Sequence, residues 1–192
     1  MLADGIRGLA ARVAAAALAA AAGAAHAAEV RPVIVAGYDA GGDQIKVVTF
    51  QSGENDSIRA NEGFYVGGGV SVLNDAGNVE FLGSLSLKYQ RIHASNADIT
   101  WNRVPLDALV FYRMQSFRLG GGLTYVLHPR LKGSGDASST DTAFPNALGA
   151  VLQGDYLLGR VSLGVRYTVL DYKSGDGTVK SNGLGVSFGI AF

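Results

Sequence analysis

Eight charged side chains of both signs stand singly in stretches that are otherwise apolar or small: Glu80, Lys88, Arg103, Asp107, Arg113, Arg118, Asp155 and Arg166. They fall in the small-residue phase of a period-two pattern, as in Glu80-Ser84-Ser86-Lys88 and Ser162-Gly164-Arg166-Thr168. A charge held away from water is costly unless an opposite charge neutralises it. Two uses fit such a set. The charges could pair and fill an enclosed space, or they could line a narrow polar path. Both uses need the same residue types, so both stay open. Other chemistries are excluded. The chain has no cysteine, hence no disulfide, thiolate metal site, cysteine nucleophile or cysteine-linked lipid. "GSGD" (133–136) and "SGDG" (174–177) lack the alternating acidic ligands of a calcium loop. The glycine triplets at 67–69 and 120–122 are not phosphate cradles, because no helix follows them. No metal and no cofactor are expected. Basic and acidic residues balance at 16 each, so there is no basic field for nucleic acid.

The elements that position these charges read as strands, because apolar residues recur at every second position. The sets are Phe64-Val66-Val70-Val72, Val79-Phe81-Leu85-Leu87-Tyr89, Phe117-Leu119-Leu123-Tyr125-Leu127, Val161-Leu163-Val165-Tyr167-Val169 and Leu184-Val186-Phe188-Ile190-Phe192. Weaker alternation marks 102–113 and 146–156. A long strand with a break at Gly41-Gly42 is expected over 32–50, its facing ambiguous. That makes eight strands. Their connections alternate between tight turns (74–78, 114–116, 157–160) and mostly longer polar loops (51–57, 93–98, 129–146, 174–177). Counted from the turns, Glu80, Arg113, Arg118 and Asp155 belong to a layer near the short-turn end. Lys88, Asp107 and Arg166 belong halfway up. Pro105 interrupts the fourth strand, and a closed barrel has no free edge to take it. A bulge or change of phase is expected there, which leaves the facing of Arg103 and Asp107 open.

Residues 1–27 read as a cleaved secretory signal, leaving 28–192 as one domain. Arg7 and Arg12 precede the uncharged run 13–25, and Ala25 and Ala27 give the small-x-small cleavage pattern. The run is shorter than the roughly 17–25 residues of a membrane-spanning helix. Short turns at one end and longer loops at the other are features of transmembrane β-barrels. A soluble eight-stranded barrel would show a surface dense in Lys and Glu. Here the polar phase is mostly Gly, Ser and Thr, and the chain carries 27 glycines. Small residues with a few charges suit the interior of an eight-stranded barrel, which is only just wide enough for side chains. Aromatic residues near segment ends match the girdles of such barrels.

On these features the chain resembles the small outer-membrane β-barrels of Gram-negative bacteria, the OmpA-barrel, OmpX and OmpW type. The closing "SFGIAF" adds to the likeness. The resemblance implies an outer-membrane location and contact with outer-membrane lipid and lipopolysaccharide. It also implies insertion by the barrel-assembly machinery, with Leu184, Val186, Phe188, Ile190 and Phe192 as the signal it reads. A monomer is expected. A second, local resemblance lies in "HASNA" (93–97), which is similar to a His-x-Ser-Asn-Ala stretch of outer-membrane lipid A deacylases. It implies His93 as base and Ser95 as nucleophile, with an acid further along, for which Asp107 is the candidate. Spacing opposes that acid: Asp107 falls about nine residues down the next strand, roughly 30 Å away. His128, before Pro129, reads as a solvated loop-end residue. The expectation is a non-enzymatic membrane scaffold with surface loops and a closed lumen. A narrow channel for small solutes and a lipid A hydrolase are the alternatives.

Overall fold

The computed structural model describes residues 29–49, 55–93, 97–135, 141–174 and 177–192, so the expected signal segment lies outside the described residues. Its strands are β1 (Glu29–Gly41), β2 (Gln44–Thr49), β3 (Asn55–Arg59), β4 (Gly63–Leu73), β5 (Val79–His93) and β6 (Ala97–Arg113). They continue with β7 (Phe117–Gly135), β8 (Asp141–Ala143), β9 (Ala147–Leu158), β10 (Val161–Ser174), β11 (Gly177–Lys180) and β12 (Gly183–Ala191). Eight of them close a barrel in the order β1-β4-β5-β6-β7-β9-β10-β12, with β12 returning to β1, every pair antiparallel. The closing seam runs from Val33 opposite Ala191 to Gly41 opposite Gly183. The remaining four strands belong to the loop end: β2 and β3 form a separate hairpin, β8 extends β7, and β11 extends β10. The expected single strand over 32–50 is therefore corrected. Gly41 and Gly42 take φ of 108° and 85°, which glycine adopts without strain, and the chain leaves the barrel there.

Alternation places the large apolar residues outside. Val66, Leu87, Val165 and Leu184 are each about 60% exposed (58, 65, 61 and 64%). In water such a belt would drive aggregation; in a bilayer it is the surface lipid requires. Aromatics mark its limits. Tyr38, Phe64 and Tyr89 sit side by side on neighbouring strands, with the Tyr38 and Phe64 rings 4.7 Å apart. At the short-turn end the Phe117 and Tyr156 rings lie 4.9 Å apart. On β5 the outward apolar file runs from Val79 to Tyr89. That is about 33 Å along the strand, or about 25 Å in height at the tilt usual for such barrels, a close match to a lipid-facing band.

Above Tyr89 the polarity inverts. Outside, Arg91 pairs with Asp98 (2.8 Å) and Arg130 with Asp141 (2.7 Å). The Arg130 guanidinium holds the Asp141 carboxyl below its ordinary value by hydrogen bonding. Inside, Ile92, Ile99, Trp101, Leu131, Phe144, Leu170 and Tyr172 are buried together with Ile58 and Ala60 from the β2–β3 hairpin and its exit. The upper rim is thus built like a water-soluble protein, with an apolar core that roofs the barrel. Hydrogen bonds tie the hairpin and β11 into this roof: Asp43 N donates to Lys180 O (2.7 Å), and Lys180 N to the Asp43 carboxylate (2.8 Å).

The irregularity expected at Pro105 is displaced onto the partner strand. The β6–β7 register slips between Asn102 and Val104, where Asn102 faces Arg130 and Val104 faces Leu127. The additional residue is on β7, at His128 and Pro129, and His128 takes φ 49°. Its N–H donates to Asn146 Oδ1 at 3.0 Å. His128 is exposed as expected but lies within β7 rather than at a loop end. Beside Pro105 the β5–β6 pairs pass from Leu85–Leu106 to Lys88–Arg103 without a shift. A proline donates no ladder bond, but the facing of β6 is unchanged, and Arg103, Asp107 and Leu109 all point inward.

Candidate functional site: the charged lumen

The lumen charges form two groups. The lower one centres on Arg118 of β7, whose Nη1 donates to Glu80 Oε1 (2.6 Å) and whose Nε donates to Asp155 Oδ2 (2.7 Å). Glu80 also accepts from Ser71 Oγ (2.6 Å) and Arg113 Nη1 (2.9 Å). Asp155 also accepts from Ser187 Oγ (3.0 Å) and Gln153 Nε2 (3.0 Å). One guanidinium therefore joins two carboxylates, Asp155 on the adjacent β9 and Glu80 on β5, beyond β6. It also lies over the Phe111 ring at 4.4 Å, a favourable cation–π placement.

The upper group crosses the barrel. Arg166 of β10 donates through Nη1 and Nη2 to Asp107 Oδ2 of β6, both at 3.2 Å. Lys88 Nζ donates to Asp39 Oδ2 (2.6 Å) and Asn61 Oδ1 (3.0 Å). Arg103 sits directly beneath the roof. Its guanidinium donates to the Ala60 carbonyl (2.5 Å) and to the Glu62 carbonyl and lies 5.0 Å from the Trp101 ring centroid. Trp101 Nε1 donates to the same Ala60 oxygen (3.2 Å). The side chains that meet across the lumen thus also fix the hairpin that closes it.

Asp39, Tyr65, Gln153 and the roof residues escape the sequence reading. Asp39 sits on the strand whose facing was ambiguous. The lower lumen is also more apolar than expected, since Val33, Leu82, Leu109, Phe111 and Val151 cluster inside. Glycines make room for the network. A Cβ at Gly185 would strike Asp39 Oδ1, and one at Gly164 would strike Asp155 Oδ1 and the Gly154 carbonyl. Gly164→Ala is expected to cost about 1–3 kcal/mol through overpacking, read as a lower urea midpoint of the refolded barrel. Gly154→Ala faces outward, with Leu119 Cδ1 at 3.5 Å, and is expected to leave the midpoint nearly unchanged.

Among the described residues the free space in the lumen includes cavities of about 30, 20 and 20 Å³, each room for a water or two. Among the described residues no group of three or more His, Cys, Asp or Glu is placed to hold a metal ion. Ser95 lies outside the described residues, as does the side chain of His93. The backbone of His93 pairs with Asp98, and Asp107 is nine positions further along β6, roughly 30 Å at strand rise. Asp107 is 5% exposed and engaged by Arg166. The structure does not bring Asp107 to His93.

No protein-family model matches the chain, and no curated protein matches it. Solved structures do. Ail, the attachment invasion locus protein of Yersinia pestis, solved with the heparin analogue sucrose octasulfate, is similar with a TM-score of 0.55 at 12% identity. The match covers 86% of this chain and 99% of that one. The fold is that of a small outer-membrane β-barrel. Neisserial surface protein A is also similar, with a TM-score of 0.49 at 14% identity, over 87% of this chain and 100% of its own. On this barrel the outward file of β12 (Leu184, Val186 and Phe188) and Phe192 beyond it are exposed, and Ile190 is half-buried.

Proposed function

We propose that this protein is a sealed, non-enzymatic scaffold of the outer membrane, whose working surface is the structured rim above the lipid belt. One observation supports this most strongly: among the described residues the lumen is crossed at two levels by ion pairs and roofed by an apolar core, with water-sized cavities between them. A solute path would need the Arg118–Glu80–Asp155 set, the Arg166–Asp107 pair and the Trp101 roof to part together. In this reading the belt meets the acyl chains of outer-membrane lipid and lipopolysaccharide, and the barrel is monomeric. The cleaved signal exports the chain, and the file Leu184, Val186, Phe188, Ile190 and Phe192 is what the assembly machinery reads. Planar-bilayer recording tests the sealed lumen. The expected record has no steady unitary currents; steady currents that scale with salt would replace this reading with the narrow channel. Lipid A from expressing cells should keep its acylation pattern by mass spectrometry. Loss of an acyl chain would restore the hydrolase reading despite the distance of Asp107.

A further inference from the structure

The upper lumen cavity, about 20 Å³, is unusual in what surrounds it. Lys88, Arg103 and Arg166 line it along with Asp39, Asn61 and Thr168, and all six are more than nine-tenths buried. Three cations thus border the chamber against one carboxylate. Asp107, bonded to Arg166, supplies a second negative charge, and one positive charge is left over. Glu62 lends Arg103 only its backbone carbonyl; its carboxylate accepts from Tyr38 Oη at 2.7 Å, on the outer face of β1. The unmet hydrogen bonding has the same bias. Asn61 Nδ2, Arg103 Nε and Arg166 Nε have no hydrogen-bond partner, nor have the hydroxyls of Thr168 and Ser181, against one carboxylate oxygen at this cavity, Asp39 Oδ1, which lies 4.0 Å from Arg166 Nε. Buried polar groups are seldom left unsatisfied, and a buried, uncompensated charge is costly.

We infer that this chamber binds a single monovalent anion of halide size, chloride under ordinary conditions. The anion supplies the missing negative charge and accepts from the idle donors, which a neutral water does only in part. The volume admits a sphere about the size of a water or slightly larger. The occupant is a structural counter-ion locked between the charge network and the roof, taken up as the barrel closes.

Crystals of the whole barrel refolded in sodium bromide, with data collected at the bromine edge, give the test. The expected result is one anomalous peak among Lys88, Arg103 and Arg166, lost when bromide is replaced by chloride. No peak in that chamber overturns the inference, whatever halides do elsewhere. Unfolding gives a second readout. The urea midpoint should be higher in chloride than in gluconate at equal ionic strength and rise with chloride concentration, as binding to the folded state alone requires. Thr168→Val, which removes a donor but no charge, should shrink that increment while the barrel still folds. Equal midpoints in the two salts would overturn the inference.

Discussion

Trp101→Ala should lower the unfolding free energy of the barrel by about 3–5 kcal/mol, the range for deleting a fully buried aromatic side chain. Trp101 is 0% exposed and packs edge-on against Phe144 and Tyr172, at 5.3 and 5.7 Å between ring centroids. Its loss also removes the hydrogen bond to Ala60 and the face over which Arg103 lies. The damage should be confined to the roof. The β2–β3 hairpin loses its seat, so protease should nick the 44–59 region of the folded variant faster than in the native barrel, while the belt strands stay protected. Trp101 is the sole tryptophan, so the variant is followed by circular dichroism and by the mobility of unheated samples on gels. A wild-type midpoint and wild-type proteolysis would mean that the roof contributes little to closing the barrel.

Arg118→Ala should be comparably severe, again about 3–5 kcal/mol, because removing one partner leaves the other charges buried without compensation. The two carboxylates differ in what remains. Glu80 keeps Arg113 and Ser71, whereas Asp155 keeps only the neutral groups Gln153 and Ser187. Asp155→Asn added to Arg118→Ala should therefore recover more stability than Glu80→Gln added to it. Urea titrations of the three variants in one detergent measure this, and the non-additivity reports the coupling directly. Equal recovery by both second changes would contradict the assigned geometry.

The sequence exposes the barrel well and its roof poorly, for one physical reason. Period-two alternation says that two faces differ, and the bilayer decides which face is outside. Along the belt the apolar file of β5, from Val79 to Tyr89, is long and aromatic-tipped, so its outward facing can be read. Above the belt the solvent changes from lipid to water. Ile99 and Trp101 turn inward there, on the same face of β6 as Asp107, with no break in the alternation. Nothing in the residue pattern marks that boundary. Arg103 and Asp107 kept their facing because the bulge near Pro105 is taken up by β7 at His128. Asp39 was hidden because the glycines that end β1 also blur its period. Ion-pair partners such as Asp107 and Arg166 lie 59 residues apart on strands that meet only across the lumen. Facing and sign mark both as lumen charges, but only the closed barrel shows that they pair.

The central claim is a barrel that is lipid-coated outside, sealed inside and water-facing only at its rim. The absence of native cysteine makes single-cysteine scanning of β6 in liposomes its most direct test. Cysteine at Asn102 should react readily with a membrane-impermeant maleimide. Cysteine at Leu106 or Val110 should not react, and a fluorophore attached there before reconstitution should be quenched by nitroxide lipids. Cysteine at Leu109, pointing into the lumen, should neither react nor be lipid-accessible. A Leu109 position that labels as fast as Asn102 would mean a water-filled lumen, and a Leu106 position that labels freely would mean that the apolar belt does not sit in lipid.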